Sequence, residues 1–364
     1  MTKKITISVI LIASIAAVLI FTVKPEKPTG VNSEVAEALT VIAQDLEIPW
    51  DFAFLPTGEI LLTERPGRVL LITDNNQQEI QVTDTIVTQH GESGLLGITL
   101  HPDFSNNQFV YLYHTQETED GLRNRVVRYT FTGTALTRPL EIIGKIPGAR
   151  YHDGGRIEFG PDRYLYITTG DATTEDLAQD RSSLAGKVLR LRDDGSIPAD
   201  NPFGTAIYSY GHRNSQGLAW DAYGRLWSTE HGRSGLSSGL DEINLIHSGE
   251  NYGWPQIQGD KARRGMVKPA THSGPDITWA PASAAYYDAS LFFGGLRGEA
   301  LYEAVLEGET VVEVREHFKG QLGRIRTIRI GPDGYLYLTT SNRDGRGNPA
   351  PGDDKLIRID PGIL

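Results

Sequence analysis

From about residue 40 onward, apolar residues come in short runs with a two-residue beat, interrupted by Pro, Asp and Gly. Side chains on a strand alternate between faces, so this beat predicts β-strands and the interruptions predict turns. The clearest case is RTIRIGPDGYLYLTTSN, Arg326 to Asn342. There Ile328 and Ile330 share one face before the PDG turn, and Tyr335 and Tyr337 share one after it. The same unit recurs at Trp50–Glu64, Leu96–His114, Gly155–Asp171 and Gly217–Gly232, with a degenerate copy at Ser283–Leu306.

Further strand-like runs follow many copies: GRVLLITD, RVVRYTF, KVLRLRDDG, DEINLI and KLIRIDPG. Each unit can therefore supply about four strands in about 45–60 residues, the period of propeller blades. The predicted fold class is all-β: a six-bladed β-propeller over residues 40–364, with four antiparallel strands per blade. A β-sandwich would show fewer and less similar repeats. A propeller closes on itself, so KLIRID (Lys355 to Asp360) is expected to pair near the start of the domain.

The N-terminus has a different pattern. Lys3 and Lys4 precede Ile5–Val23, a run without any charged residue. Residues 1–23 predict a hydrophobic helix ahead of the propeller, either a signal peptide or a membrane anchor. Residues 24–39 (KPEKPTGVNSE and after) read as a linker. A positive flank stays inside, so the propeller is expected outside the cytoplasm, periplasmic or membrane-anchored.

Composition narrows the chemistry. A net charge of −11 argues against binding a phosphate backbone, so no nucleic-acid partner is expected. With no cysteine, disulfides, thiolate metal sites and Cys nucleophiles are excluded. No Rossmann or P-loop signature follows a strand, which argues against nucleotide cofactors.

Propeller sites lie on one face, on loops just before or after the blade strands. His152 precedes one repeat strand and Asp171 follows the next strand of the same hairpin. A carboxylate beside an imidazole orients it and raises its basicity, as a general base requires; otherwise Asp171 caps a turn and His152 is a loop residue. In YGHRNSQG, Arg213 beside Asn214 either polarises a carbonyl or quinone oxygen or pairs with a neighbouring blade. Gly232 in STEHGRSG permits a sharp turn whose carbonyls suit Ca²⁺. Alternation puts Arg324 and Arg326 on one face, forming either a clamp for a polycarboxylate or a solvated strand edge. The acid pair Asp241–Glu242 is a surface turn or a metal site. His101 reads as a turn-forming residue.

The ordered set GLLGITLHPDF, DGGRIEFGPD, TTGD, GKVLRLRDDGSIPADNPF, GHRNSQG, TEHG, DEINLI and NYGWP resembles the glucose/sorbosone dehydrogenase family. That family includes the soluble pyrroloquinoline quinone (PQQ) glucose dehydrogenases and the aldose sugar dehydrogenases. The likeness runs from about Leu46 to the C-terminus. It implies a PQQ- and Ca²⁺-dependent oxidoreductase that converts aldose sugars to aldonolactones and hands electrons to an external acceptor. It implies His152 as base, oriented by Asp171, and Arg213 and Asn214 at the quinone carbonyl. Arg324 and Arg326 would meet the quinone carboxylates, joined by Arg297 where the family has lysine. Glu92 would line the substrate site. Calcium would take the carbonyls of Gly232 and Arg233, and a second calcium would take Glu242 and Tyr252. Two competing readings are a membrane-tethered propeller that only binds and a calcium-dependent propeller lactonase.

Overall fold

In the computed structural model, the described residues are 39–74, 76–235 and 238–364. The anchor and most of the linker lie outside them; Leu39 already opens a strand. Among the described residues, no helix is long and apolar enough to cross a membrane.

The chain runs through successive antiparallel four-stranded units. The first holds β2 (Pro49–Phe54), β3 (Ile60–Glu64), β4 (Arg68–Thr73) and β5 (Asn76–Val82). The second holds β6 (Leu95–Leu100), β7 (Phe109–Thr118), β8 (Gly121–Phe131) and β9 (Ala135–Pro147). These two merge into one eight-stranded sheet through a short parallel pairing of β5 with β9. Three further sheets follow. One contains β10 (Ile157–Phe159), β11 (Leu165–Thr169), β12 (Lys187–Leu191) and β13 (Ile207–Tyr210). The next contains β14 (Ser215–Trp220), β15 (Leu226–Glu230), β16 (Glu242–Ile246) and β17 (Thr271–His272). Another contains β18 (Pro281–Tyr287), β19 (Ser290–Gly295), β20 (Leu301–Glu307) and β21 (Thr310–His317).

The last sheet draws on both ends of the domain. β22 (Ile325–Ile330), β23 (Leu336–Thr340) and β24 (Leu356–Ile359) take β1 (Leu39–Ala43) as their outer strand. Leu39 faces Ile359 and Val41 faces Ile357, so the expected closure by KLIRID forms. The strands that begin each unit pack on one another around a common axis: β2 on β6, β6 on β10, β14 on β18, β18 on β22 and β22 on β2. The arrangement is consistent with a β-propeller.

The core lies between the sheets. Alternation gives each sheet two apolar faces, and each face packs on a neighbour. Phe52, Leu62 and Ile72 of the first unit pack with Tyr337 and Leu356 of the last; Phe54 meets Tyr337 edge to face at 4.9 Å. Fully burying a side chain of this size contributes roughly 1.5–3 kcal/mol. Most of the apolar core thus lies between the sheets and not in the loops at the axis, which leaves those loops available for chemistry.

Candidate functional site

In an antiparallel hairpin the start of the first strand and the end of the second lie at the same end. That rule gathers residues from distant segments onto one mouth of the axis. His152 precedes β10 and Asp171 follows β11, while Arg213 precedes β14 and His231 to Ser234 follow β15. Glu92 precedes β6, Arg324 precedes β22 and Arg346 follows β23. Together they enclose a cavity of about 610 Å³, within the range of small-molecule sites.

His152 and Asp171 meet as the hairpin predicts. His152 Nδ1 donates to Asp171 Oδ1 at 2.8 Å. Asp171 is fully buried and pinned from both sides: Thr173 N donates to Oδ1 at 2.8 Å, and Trp254 Nε1 to Oδ2 at 2.9 Å. The carboxylate therefore fixes the ring so that Nε2 carries the free lone pair. His152 has φ +63°, in the left-handed region, and its carbonyl stands where a Cβ on residue 170 would come within 1.8 Å. Only glycine fits at position 170.

The cationic residues divide by what they touch. Arg213 lines the cavity beside Trp254; Nη2 donates to Ser234 Oγ at 2.8 Å, while Nε is buried without a partner. Burial pushes its guanidinium down, against the pull of Asp171 and Glu230. Asn214 Oδ1 accepts from Gly154 N at 3.0 Å, and its Nδ2 has no partner. Arg297 is exposed on the wall and reaches Ser238 Oγ at 2.9 Å.

The pair in the last sheet is not a solvated edge, because both arginines are buried. Nor is it an open clamp on one face. Arg324 lines the cavity but is already engaged: Nε and Nη2 donate to Asp344 Oδ2 at 3.0 and 2.6 Å, and Nη1 to Leu296 O at 2.9 Å. Arg326 sits off the cavity wall, 5.6 Å from the Trp50 ring. Its Nη1 donates to Gln216 Oε1 at 2.6 Å and its Nε is unpartnered. Burial pushes it down to about 9.

Gly232 and Arg233 line the cavity, and Gly232 N donates to Asp241 Oδ1 at 2.8 Å. Asp241 Oδ2 accepts from Trp279 N and Ala280 N, so this residue braces the turn rather than forming a surface loop. Glu242 and Tyr252 lie away from the cavity wall. Glu242 accepts from Gly259 N and faces Glu230 across β15 and β16; burial, reinforced by Glu230, pushes its carboxyl up to about 8. Tyr252 Oη is taken by His247 N and Leu245 O. Among the described residues, no group of three or more His, Cys, Asp or Glu side chains converges as a metal site. His101 accepts from Asp103 N at 2.9 Å, the turn role its context predicts.

Several wall residues escaped the sequence reading. His231 lines the cavity with a buried, unpartnered Nε2, and burial pushes it down to about 3, so it is neutral there. Its place at the end of a second strand matches that of Asp171, a signal that was available. Arg346, after the second strand β23, and Tyr151, beside His152, carried the same kind of signal; Trp254, behind Asp171, did not, since its loop meets the site only in the folded chain.

The guanidiniums of Arg213, Arg297, Arg324 and Arg346 on the wall fit a polyanion with carbonyl acceptors, and the unpartnered donors of Arg326 and Asn214 are buried off it. Comparison with known proteins points the same way. Residues 46–358 match the family model described as Glucose / Sorbosone dehydrogenase. Aldose sugar dehydrogenase YliI of Escherichia coli (strain K12) is 32% identical, across 92% of this chain and 94% of that protein. Quinoprotein glucose dehydrogenase B of Acinetobacter calcoaceticus is 35% identical, across 62% of this chain and 54% of that protein. Among solved structures, the PQQ-bound form of aldose sugar dehydrogenase (Adh) from Streptomyces coelicolor is similar with a TM-score of 0.82 at 38% identity. That match covers 88% of this chain and 97% of that one.

Proposed function

The chain belongs to the glucose/sorbosone dehydrogenase family, and from that premise we propose that it oxidises an aldose at the anomeric carbon to an aldonolactone, using PQQ and Ca²⁺ and passing electrons to an external acceptor. The observation that carries this reading is the His152–Asp171 pair, with His152 on the wall of a cavity that Arg213, Arg297, Arg324 and Arg346 also line. When bound, PQQ supplies a quinone that accepts hydride from the sugar.

The chain's own residues do the rest. His152 Nε2 takes the proton of the anomeric hydroxyl, and Asp171 stabilises the resulting imidazolium through Nδ1. Trp254 and Thr173 keep that carboxylate from turning. Arg213 and Asn214 would hold the quinone carbonyl with the donors they leave open, stabilising the charge that develops there. Arg297, Arg324 and Arg326 would hold the carboxylates, Arg324 sharing its guanidinium with Asp344. The carbonyls of Gly232 and Arg233 would hold the Ca²⁺ beside the quinone, and Glu242 with Tyr252 would hold a second one. Glu92, on the cavity wall, would line the sugar end.

The ring of sheets reads as a six-bladed propeller, two blades sharing the β5–β9 edge. Residues 1–23 would export it as a signal or anchor, with residues 24–39 as tether. Cell fractionation should recover it outside the cytoplasm; cytosolic recovery with an intact N-terminus would overturn this.

The decisive experiment adds PQQ and Ca²⁺ to purified apoprotein and follows dye reduction as aldoses are supplied. Sugar-dependent reduction that needs both additions is expected. Binding of PQQ without turnover of any aldose would leave a propeller that only binds.

A further inference from the structure

Glu92 stands between two groups far apart in the chain. Its Oε2 accepts from the His152 amide at 3.3 Å, and its Oε1 pairs with Arg346 Nη1 at 2.7 Å. Arg346 lies in the loop after β23, 254 residues from Glu92. That loop is itself anchored. Asp344 Oδ1 accepts from the Arg346 amide at 2.9 Å, while Asp344 Oδ2 holds Arg324. The Arg346 guanidinium also lies 5.4 Å from the ring centre of Tyr151, the residue before His152. One side chain thus grips the His152 segment at two points.

His152 needs such a grip. A non-glycine residue at φ +63° is strained and persists only where its surroundings hold it. Asp171 fixes the ring, but the backbone depends on the Ala172 amide at the carbonyl, at 3.2 Å, and on Glu92 at the amide.

We propose that Arg346 is a positioning residue for the base: through Glu92 and Tyr151 it holds the His152 backbone in the left-handed conformation that aims the imidazole into the cavity. This rests on the reading of His152 as base. The charges agree with it. Burial pushes the Glu92 carboxyl up, but the paired Arg346 guanidinium more than offsets this and holds it at about 2, so it acts only as an acceptor. The other charged or titratable groups around His152 are Asp171, Arg213 and His231.

The test has two arms, and the first does not depend on activity. In amide hydrogen exchange of the apoprotein followed by NMR, Arg346→Ala should shift the His152 amide and cut its protection by about tenfold or more. In the second, with PQQ and Ca²⁺ restored, kcat should fall between about ten- and a hundredfold, with KM within about threefold of the parent. Arg346→Lys, which still donates to Glu92, should restore part of both. An unchanged His152 amide overturns the proposal. So does a KM rise at constant kcat, which would make Arg346 a sugar contact, or a kcat loss that tracks thermal stability and is not rescued by lysine. A parent that oxidises no aldose removes the base reading, and the exchange arm still decides whether Arg346 holds this backbone.

Discussion

The two ends of the axis differ in how far their arginines are matched. At the end away from the cavity, Arg156 and Arg329 converge on one buried carboxylate. Arg156 Nη1 lies 2.5 Å from Asp51 Oδ2, and Arg329 bridges Asp51 at 3.1 Å and Glu158 at 2.8 Å. Arg156 also lies over Trp50 and donates to Gln216 O and Thr327 Oγ1. At the cavity end, Arg213 and Arg326 each keep a buried Nε with no partner, and Asn214 keeps an open amide. A buried donor left open costs about 1–3 kcal/mol. Charges matched within the protein serve the fold. The donors left open at the cavity end are the ones the proposed cofactor would complete.

That contrast can be broken at either end, most strongly at the base. His152→Ala should lower kcat by roughly 10²–10⁴-fold while PQQ titration of the apoprotein is unchanged; full activity in steady-state assays would remove His152 from the chemistry. The next largest effect belongs to the other end. Asp51→Ala strands the buried Arg156 guanidinium and leaves Arg329 only Glu158, and should cost about 3–5 kcal/mol in urea unfolding, with the folded protein binding PQQ within about threefold of the parent. A large loss of PQQ affinity there would mean the two ends are not separable.

Replacing both Arg324 and Arg326 by Ala should weaken PQQ by at least about a hundredfold, since charge-assisted bonds contribute roughly 1.5–3 kcal/mol each. Absorbance titration with Ca²⁺ in excess reads this, and circular dichroism reports the fold. Unchanged affinity would place the carboxylate contacts elsewhere, with Arg297 the next residue to change.

The smallest effect is a pH dependence. The folded Glu92 is held at about 2, below its ordinary value, so its contribution is present above about pH 4.5 and lost as pH falls through 2. Arg346 is half exposed, so solvent screening limits the pair to about 1 kcal/mol. Glu92→Gln should therefore be less stable than the parent at pH 7 by about that amount, and the two unfolding curves should merge near pH 2. A gap that persists there would assign the loss to packing instead.

Much of this was readable before any coordinates. The WDFAF, GLLGITL, RIEF and IRTIRI runs became β2, β6, β10 and β22, because alternation and PDG-type turns are local properties. His152 and Asp171 were readable because one hairpin joins them, and hairpin geometry needs only the strands on either side. The arginines of the last sheet were only half readable. Alternation put Arg324 and Arg326 on one face, but the chain departs from regular pairing between Ile325 and Thr327, and Asp344 claims the first of them.

By itself, then, the sequence determined the strands, the closure of Lys355–Asp360 onto the first strand and the pairing of His152 with Asp171, since each follows from neighbours in the chain or from one repeated unit. Only the tertiary structure decided which arginines stay open and which are matched. It also placed Arg346, Glu92 and His152 in one line and Trp254 behind Asp171. The reason is physical: a guanidinium's free energy depends on which acceptors reach it, and here these come from strands and loops up to 278 residues away, brought together by closure of the ring.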